Sequence, residues 1–238
     1  MRILVVNDDG IDSAGIEKLA RISSKLGEVW VVAPVSQCSA MSQKITIRGS
    51  MLVKEKTDFP VKGVRAFSVD GTPADCVRIG IECILPKKPD IVFSGINIGY
   101  NCGHDILYSG TVGAALEALV AKIPAIAFSS DVNGTYDVVD EYLLPITKEL
   151  IGNRLEANEI WNVNFPGCSA DNLEGIIWDV KPAHMEIFTS YYDKKINEDG
   201  SFYVSLCGDI RDQAPEKTDI YYVLNNYISI GKVKNFVI

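Results

Sequence analysis

Asp8 and Asp9 stand side by side after an apolar run, Ile3-Leu4-Val5-Val6, with Asn7 before them and Gly10 after. Neighbouring carboxylates repel each other, and a divalent cation bound between them relieves that repulsion. Asp also caps helices, and Asp-Gly is a frequent turn pair. An ordinary turn is therefore the competing reading of these residues taken alone. A second group comes later in the chain: Ser109-Gly110-Thr111, followed by Val112-Gly113-Ala114-Ala115. If it opens a helix, free N–H groups and the positive end of the dipole make an anion site, with two hydroxyls beside it. Its bland alternative is an N-cap followed by residues small enough for close packing. A cation site and an anion site on one edge of a sheet would do phosphate chemistry.

Bringing those groups together requires an α/β sheet. Residues 3–6 are apolar at every position, which suits a central parallel strand. Ligands of open α/β sheets bind beyond the carboxyl ends of such strands, where Asp8 and Asp9 fall. Residues 15–26 carry Ile16, Leu19, Ala20 and Ile22 near helical spacing, with Gly27 as the expected C-cap, and residues 29–33 read as the next strand. Strand–helix–strand with short joins is a right-handed parallel crossover. Residues 45–47 and 64–69 read as strands of an antiparallel or edge excursion. Asp70-Gly71-Thr72-Pro73 turns into a helix over 74–84, with Pro73 in its first turn.

Residues 91–94 and 124–129 are further buried strands, separated by a small-residue helix over 111–121. A helix over 136–150 contains Pro145, which should kink or split it. Residues 161–166 form the last core strand. Beyond about residue 175, strand-like pieces (175–180, 202–206) alternate with polar turns, and 220–230 shows no helical spacing. That stretch predicts a β-rich appendage whose edges pair with another subunit. The expected whole is an α/β domain built on a mostly parallel sheet, with a β-rich appendage after about residue 175.

Four loops should meet at the carboxyl edge. They hold Asn7 to Gly10; Ser36, Gln37, Ser39 and Ser42; Asp70 to Asp75; and Ser94 through Asn97 and Asn101 to Thr111. Their groups are carboxylates, amides and short hydroxyls, the ligands preferred by hard cations such as Mg²⁺.

Composition removes several classes. With 23 Lys+Arg against 31 Asp+Glu, the net charge is -8, and no basic cluster offers a phosphate-tracking surface for duplex nucleic acid. The six cysteines include no Cys-x-x-Cys pair and there are two histidines, which argues against structural zinc. No apolar stretch reaches membrane-spanning length and no signal peptide is visible, so the expected setting is the cytoplasm with reduced thiols. Cys38 and Cys102 lie beside motif residues without the His-and-Asn surroundings of a nucleophile.

The ordered series of motifs resembles the stationary-phase survival protein family, SurE. The matching segments are Asn7-Asp8-Asp9-Gly10-Ile11; Val32-Ala33-Pro34 with Ser39 and Ser42; Gly71-Thr72-Pro73-Ala74-Asp75-Cys76-Val77; Ser94 to Asn101; and Tyr108 to Ala115. Weaker echoes are Asn162 to Pro166 and Thr218-Asp219. The resemblance implies a metal-dependent 5′-nucleotidase acting on nucleoside monophosphates, with 3′-nucleotidase and exopolyphosphatase side activities. It also implies a Rossmann-like, mostly parallel sheet with helices on both faces, as one domain with a core over 1–180 and an oligomerisation extension over 181–238, one Mg²⁺ or Mn²⁺ per subunit on the residues matching Asp8, Asp9, Ser39 and Asn97, and a homodimer or homotetramer exchanging that extension. Three residues depart from the family pattern. Cys38 and Ala40 flank Ser39 where the family usually has Arg and Gly, and Asn226 stands where it usually has Gly.

On this reading Asp8 and Asp9 are catalytic as well as metal-binding, and Asp9 orients a water. Ser109, Gly110 and Thr111 bind the substrate phosphate, and Asn101 donates to the developing charge. His104 is a candidate proton donor, with an exposed loop histidine as its bland alternative. Two rivals belong to other classes. A response-regulator receiver would need a phospho-accepting Asp where this chain has Ser94-Gly95. A nucleotide binder without hydrolysis of the P-loop type would need a Gly-x-x-x-x-Gly-Lys motif that the chain lacks.

Overall fold

The computed structural model describes residues 1–133, 136–153 and 155–237. In chain order its elements are β1 (Arg2–Val6), α1 (Ala14–Ser23), β2 (Glu28–Pro34), β3 (Val53–Glu55), β4 (Arg65–Val69), α2 (Pro73–Ile79), β5 (Ile91–Ile98), α3 (Gly110–Val120), β6 (Ala125–Ser130), α4 (Asp137–Gly152), β7 (Glu159–Asn164), β8 (Gly175–Val180), β9 (Phe188–Ile196), β10 (Phe202–Ile210), α5 (Asp219–Leu224) and β11 (Tyr227–Lys234). A nine-stranded sheet runs β3-β4-β2-β1-β5-β6-β7-β11-β8. All neighbours are parallel except β3 with β4 and β11 with β7.

The apolar run at the start occupies the middle of that sheet because helices cover both faces. Ile3 and Val5 pack with Ile16 and Leu19 of α1 and Val138 and Leu143 of α4. Leu4 and Val6 pack on the other face with Val77 of α2 and Val112 and Ala115 of α3. All four strand residues are fully buried, each side chain contributing roughly 1.5–3 kcal/mol. Strand pairing brings the ends of β1, β2 and β5 to one edge, where Val6 stands beside Ser94.

Several expected elements differ. Residues 45–47 form no strand, because the Thr46 N–H and hydroxyl both donate to the Asp75 carboxylate and are lost to any ladder. The antiparallel edge excursion is real but uses Val53–Glu55 against β4. The first helix stops at Ser23 with Ser24 as C-cap, so Gly27 lies beyond the cap. The helix expected over 74–84 is split: α2 gives way to a π-helical turn, Gly80–Ile84. Pro145 sits inside one continuous α4. Half of the stretch 220–230 is α5, started by the Thr218 hydroxyl accepting from the Tyr221 N–H. The other half begins β11, which re-enters the main sheet beside β7. The hairpin β9–β10 stands apart as a two-stranded sheet.

Candidate active site

At the end of β1, the Asp8 carboxylate is buried and points at the start of α3. Its Oδ1 accepts from the Thr111 hydroxyl at 2.5 Å and its Oδ2 from the Thr111 N–H at 3.0 Å. Only glycine fits at position 110, since a Cβ there would stand 2.9 Å from both Asp8 Cβ and Oδ2. Burial raises the Asp8 pKa to about 6; the Thr111 hydroxyl pulls the other way, and the charge on Asp9 adds to the rise. Asp9 is less enclosed. Its Oδ2 accepts from the Ile98 N–H at 3.0 Å, its Oδ1 has among the described residues only the distant Gln37 amide at 3.5 Å, and burial raises its pKa too.

Backbone bonds bring the other two expected ligands to this pair. The Cys38 N–H donates to the Asp8 carbonyl at 2.7 Å, which sets the exposed Ser39 next to the β1 loop. The bond from Ile98 to Asp9 does the same for Asn97. The Asn97 amide nitrogen donates to the Gly99 carbonyl at 2.7 Å, and its side-chain oxygen accepts nothing among the described residues. The side chains of Asp8, Asp9, Ser39 and Asn97 offer oxygen atoms to a cation, two carboxylates among them, and that chemistry suits a hard divalent ion. Among the described residues no group of three or more His, Cys, Asp or Glu is placed to hold a metal. Any cation here would depend on the neutral oxygens of Ser39 and Asn97.

The anion group is partly turned to internal use. Ser109 is the N-cap of α3, its hydroxyl oxygen accepting from the Val112 N–H at 3.0 Å. The Thr111 hydroxyl and N–H both serve Asp8, so the acid itself caps this helix. The Gly110 N–H and the Ser109 O–H remain without acceptors among the described residues. Asn101 is buried in a polar network. Its side chain donates to the Ser129 hydroxyl at 2.7 Å, and its N–H to Asn164 Oδ1 at 2.8 Å. Its carbonyl accepts from Asn162 and Asn164 at 2.8 and 3.2 Å. The His104 side chain is exposed. Burial and then the charge on Asp8 push the Cys38 thiol up, which keeps it protonated.

Sequence reasoning gave no role to three supports of this site. Asn162 and Asn164 hold the backbone at Asn101; the available signal was two amides spaced to share one face of a buried strand. Asp219 accepts from the Gly103 and Ala183 N–H groups, each at 2.8 Å, and so ties α5 to the fourth loop. Asp75 closes a capping box with Thr72 and reaches back to Thr46.

The profile of the family described as "Survival protein SurE" matches residues 3–185. Among curated relatives, a protein named 5′-nucleotidase SurE from Clostridium botulinum is 39% identical over 235 residues, covering 97% of this chain and 91% of the relative. The protein of the same name from Thermosipho africanus is 36% identical, covering 100% of this chain and 92% of its own. The crystal structure of SurE protein from Aquifex aeolicus superposes with a TM-score of 0.83 at 34% identity, over 98% of this chain and 93% of that one.

Proposed function

The chain belongs to the survival protein SurE family, and from that premise we propose that it is a metal-dependent 5′-nucleotidase, releasing phosphate from nucleoside monophosphates. The observation that supports the reading is a pair of bonds, from the Cys38 N–H to the Asp8 carbonyl and from the Ile98 N–H to the Asp9 carboxylate, which ties the chain next to Ser39 and Asn97 to the two acids. These four residues would hold one Mg²⁺ or Mn²⁺, which when bound supplies Lewis acidity toward a phosphoryl oxygen and acidifies water.

The protein's own groups do the rest. Thr111 holds the Asp8 carboxylate in one orientation and opposes its protonation. Asp9 uses one oxygen on Ile98 and keeps the other to orient the attacking water. The Ser109 hydroxyl and Gly110 N–H bind the phosphate at the positive end of α3, and Thr111 contributes there through Asp8. Asn101 gives one amide hydrogen to Ser129 and offers the second to charge developing on the phosphoryl group.

We take the chain as one domain whose core over 1–180 is completed by β11, and assign the joining of subunits into a dimer or tetramer to the rest of the extension over 181–238, the β9–β10 hairpin above all. Exposed Tyr192, Phe202 and Leu206 on the β9–β10 hairpin support that use. The cytoplasm is the compartment it assumes, in keeping with six free cysteines. No described helix is long and apolar enough to cross a membrane. Short polyphosphate is proposed as a secondary substrate. The test is phosphate release from a panel of nucleoside 5′- and 3′-monophosphates, with EDTA and after adding Mg²⁺ or Mn²⁺. Release that EDTA abolishes and metal restores supports the reading; nucleotide binding without release makes the protein a binder.

A further inference from the structure

The segment that carries Ser39 has no helix or strand to hold it, and two of its residues, Ala40 and Ser42, sit at φ of 55° and 50°. Side chains without glycine's freedom persist there only when their surroundings fix them. On the upstream side the fixing is the Cys38 N–H on the Asp8 carbonyl. On the downstream side it comes from α3. Gly113 lies so close to the Ser42 carbonyl that a Cβ would stand 2.0 Å from it. Two residues of the fourth loop also help: Ser42 donates its N–H to the Tyr108 carbonyl at 2.9 Å and its hydroxyl to the Leu107 carbonyl at 2.8 Å. The next residue, Gln43, donates its side-chain amide to Oε2 of Glu117 at 2.8 Å. Glu117 is only 6% exposed, and its other oxygen accepts from Arg78 of α2 at 3.2 Å. The reaction as outlined above gives this buried carboxylate no task.

We propose that Glu117 and Gln43 are positioning residues that clamp the Ser39 loop onto α3, so that this one helix orients both Asp8, through Thr111, and Ser39, through Gln43. The clamp rests on the reading of Ser39 as a metal ligand. A buried carboxylate paired with an exposed Arg would otherwise be a stability device between α2 and α3, and the two roles separate by variant. Gln43→Ala removes the loop's bond and leaves the Arg78–Glu117 pair. Arg78→Ala does the reverse. Glu117→Gln keeps a carbonyl oxygen for Gln43, whereas Glu117→Ala keeps nothing.

The experiment is calorimetric titration of metal-free full-length protein with Mn²⁺, alongside thermal unfolding of each variant. Gln43→Ala and Glu117→Ala should weaken Mn²⁺ binding by about tenfold, the scale of losing a group that orients a ligand. Glu117→Gln and Arg78→Ala should bind as the parent does, and Gln43→Ala should unfold at the parent temperature. Unchanged Mn²⁺ affinity in Gln43→Ala overturns the clamp, and it does so even if Glu117→Ala does not fold. Ser39→Ala separates the two readings. If it binds Mn²⁺ normally, Ser39 is not a ligand; if it binds weakly while Gln43→Ala binds normally, only the clamp fails.

Discussion

Thr111 gives both its hydroxyl and its backbone N–H to the two oxygens of Asp8, at 2.5 and 3.0 Å. A helix start that looks from the sequence like a phosphate cradle is therefore shared between the substrate and the acid. Thr111→Val keeps the shape and removes the stronger bond. Mn²⁺ affinity and kcat/KM should each fall about tenfold, the usual scale for a lost orienting partner, while Thr111→Ser should retain both. A normal Thr111→Val enzyme would leave the Asp8–Thr111 pair without a role in activity.

The raised Asp8 pKa, about 6 against an ordinary 3.8, has two consequences of defined sign. Metal competes with the proton, so affinity should drop about tenfold per pH unit below 6. Without metal, the folded protein holds more protons than the unfolded chain between about pH 4 and 6. Its stability should fall as pH rises through that window, Asp8 contributing roughly 3 kcal/mol of the loss. Urea titrations of metal-free protein at pH 4.5 and 7 check this: Asp8→Asn should flatten the pH dependence, and an unaltered slope would contradict the assignment.

Ala40 has φ 55° and Asn226 has φ 62°. The left-handed region costs an alanine about 1–2 kcal/mol, partly offset by the greater unfolded-state entropy of glycine. Ala40→Gly should stabilise the protein by about 0.5–1 kcal/mol in urea unfolding. Asn tolerates this conformation, so Asn226→Gly should change stability less.

Asp219 receives N–H groups from Gly103 and Ala183 as well as its own neighbour Ile220. Asp219→Ala leaves these buried donors unpaired and should cost about 2–4 kcal/mol. Amide hydrogen exchange should show Gly103 losing protection and Asn101 losing it with it. Retained protection at Gly103 would mean that the fourth loop holds itself.

Much of this was legible from the chain. The run 3–6 gave a buried central strand, and the series from Asn7 to Ala115 led to the fold and the family. One failure comes from backbone and hydroxyl donors taken by a side chain distant in sequence. Residues 45–47 look like a strand until Asp75 takes their donors. The bonds from Thr111 to Asp8 had no local signal, since the two residues lie far apart in the chain. α5 was missed although Thr218-Asp219 is a sound N-cap signal, because the apolar run after it has no clear period. The Glu117 clamp had no local signal, since Gln43, Arg78 and Glu117 meet only in the folded chain. The two glycine departures did carry a signal, for both positions prove to need positive φ.

The central claim, that the carboxylates of Asp8 and Asp9 form a metal-dependent phosphatase centre, is tested most directly by phosphate release from a nucleoside 5′-monophosphate at saturating Mn²⁺. The parent is compared with a folded Asp8→Asn, Asp9→Asn double variant. The account predicts that the variant releases no phosphate above background, whatever the metal concentration. Release at the parental rate would contradict it.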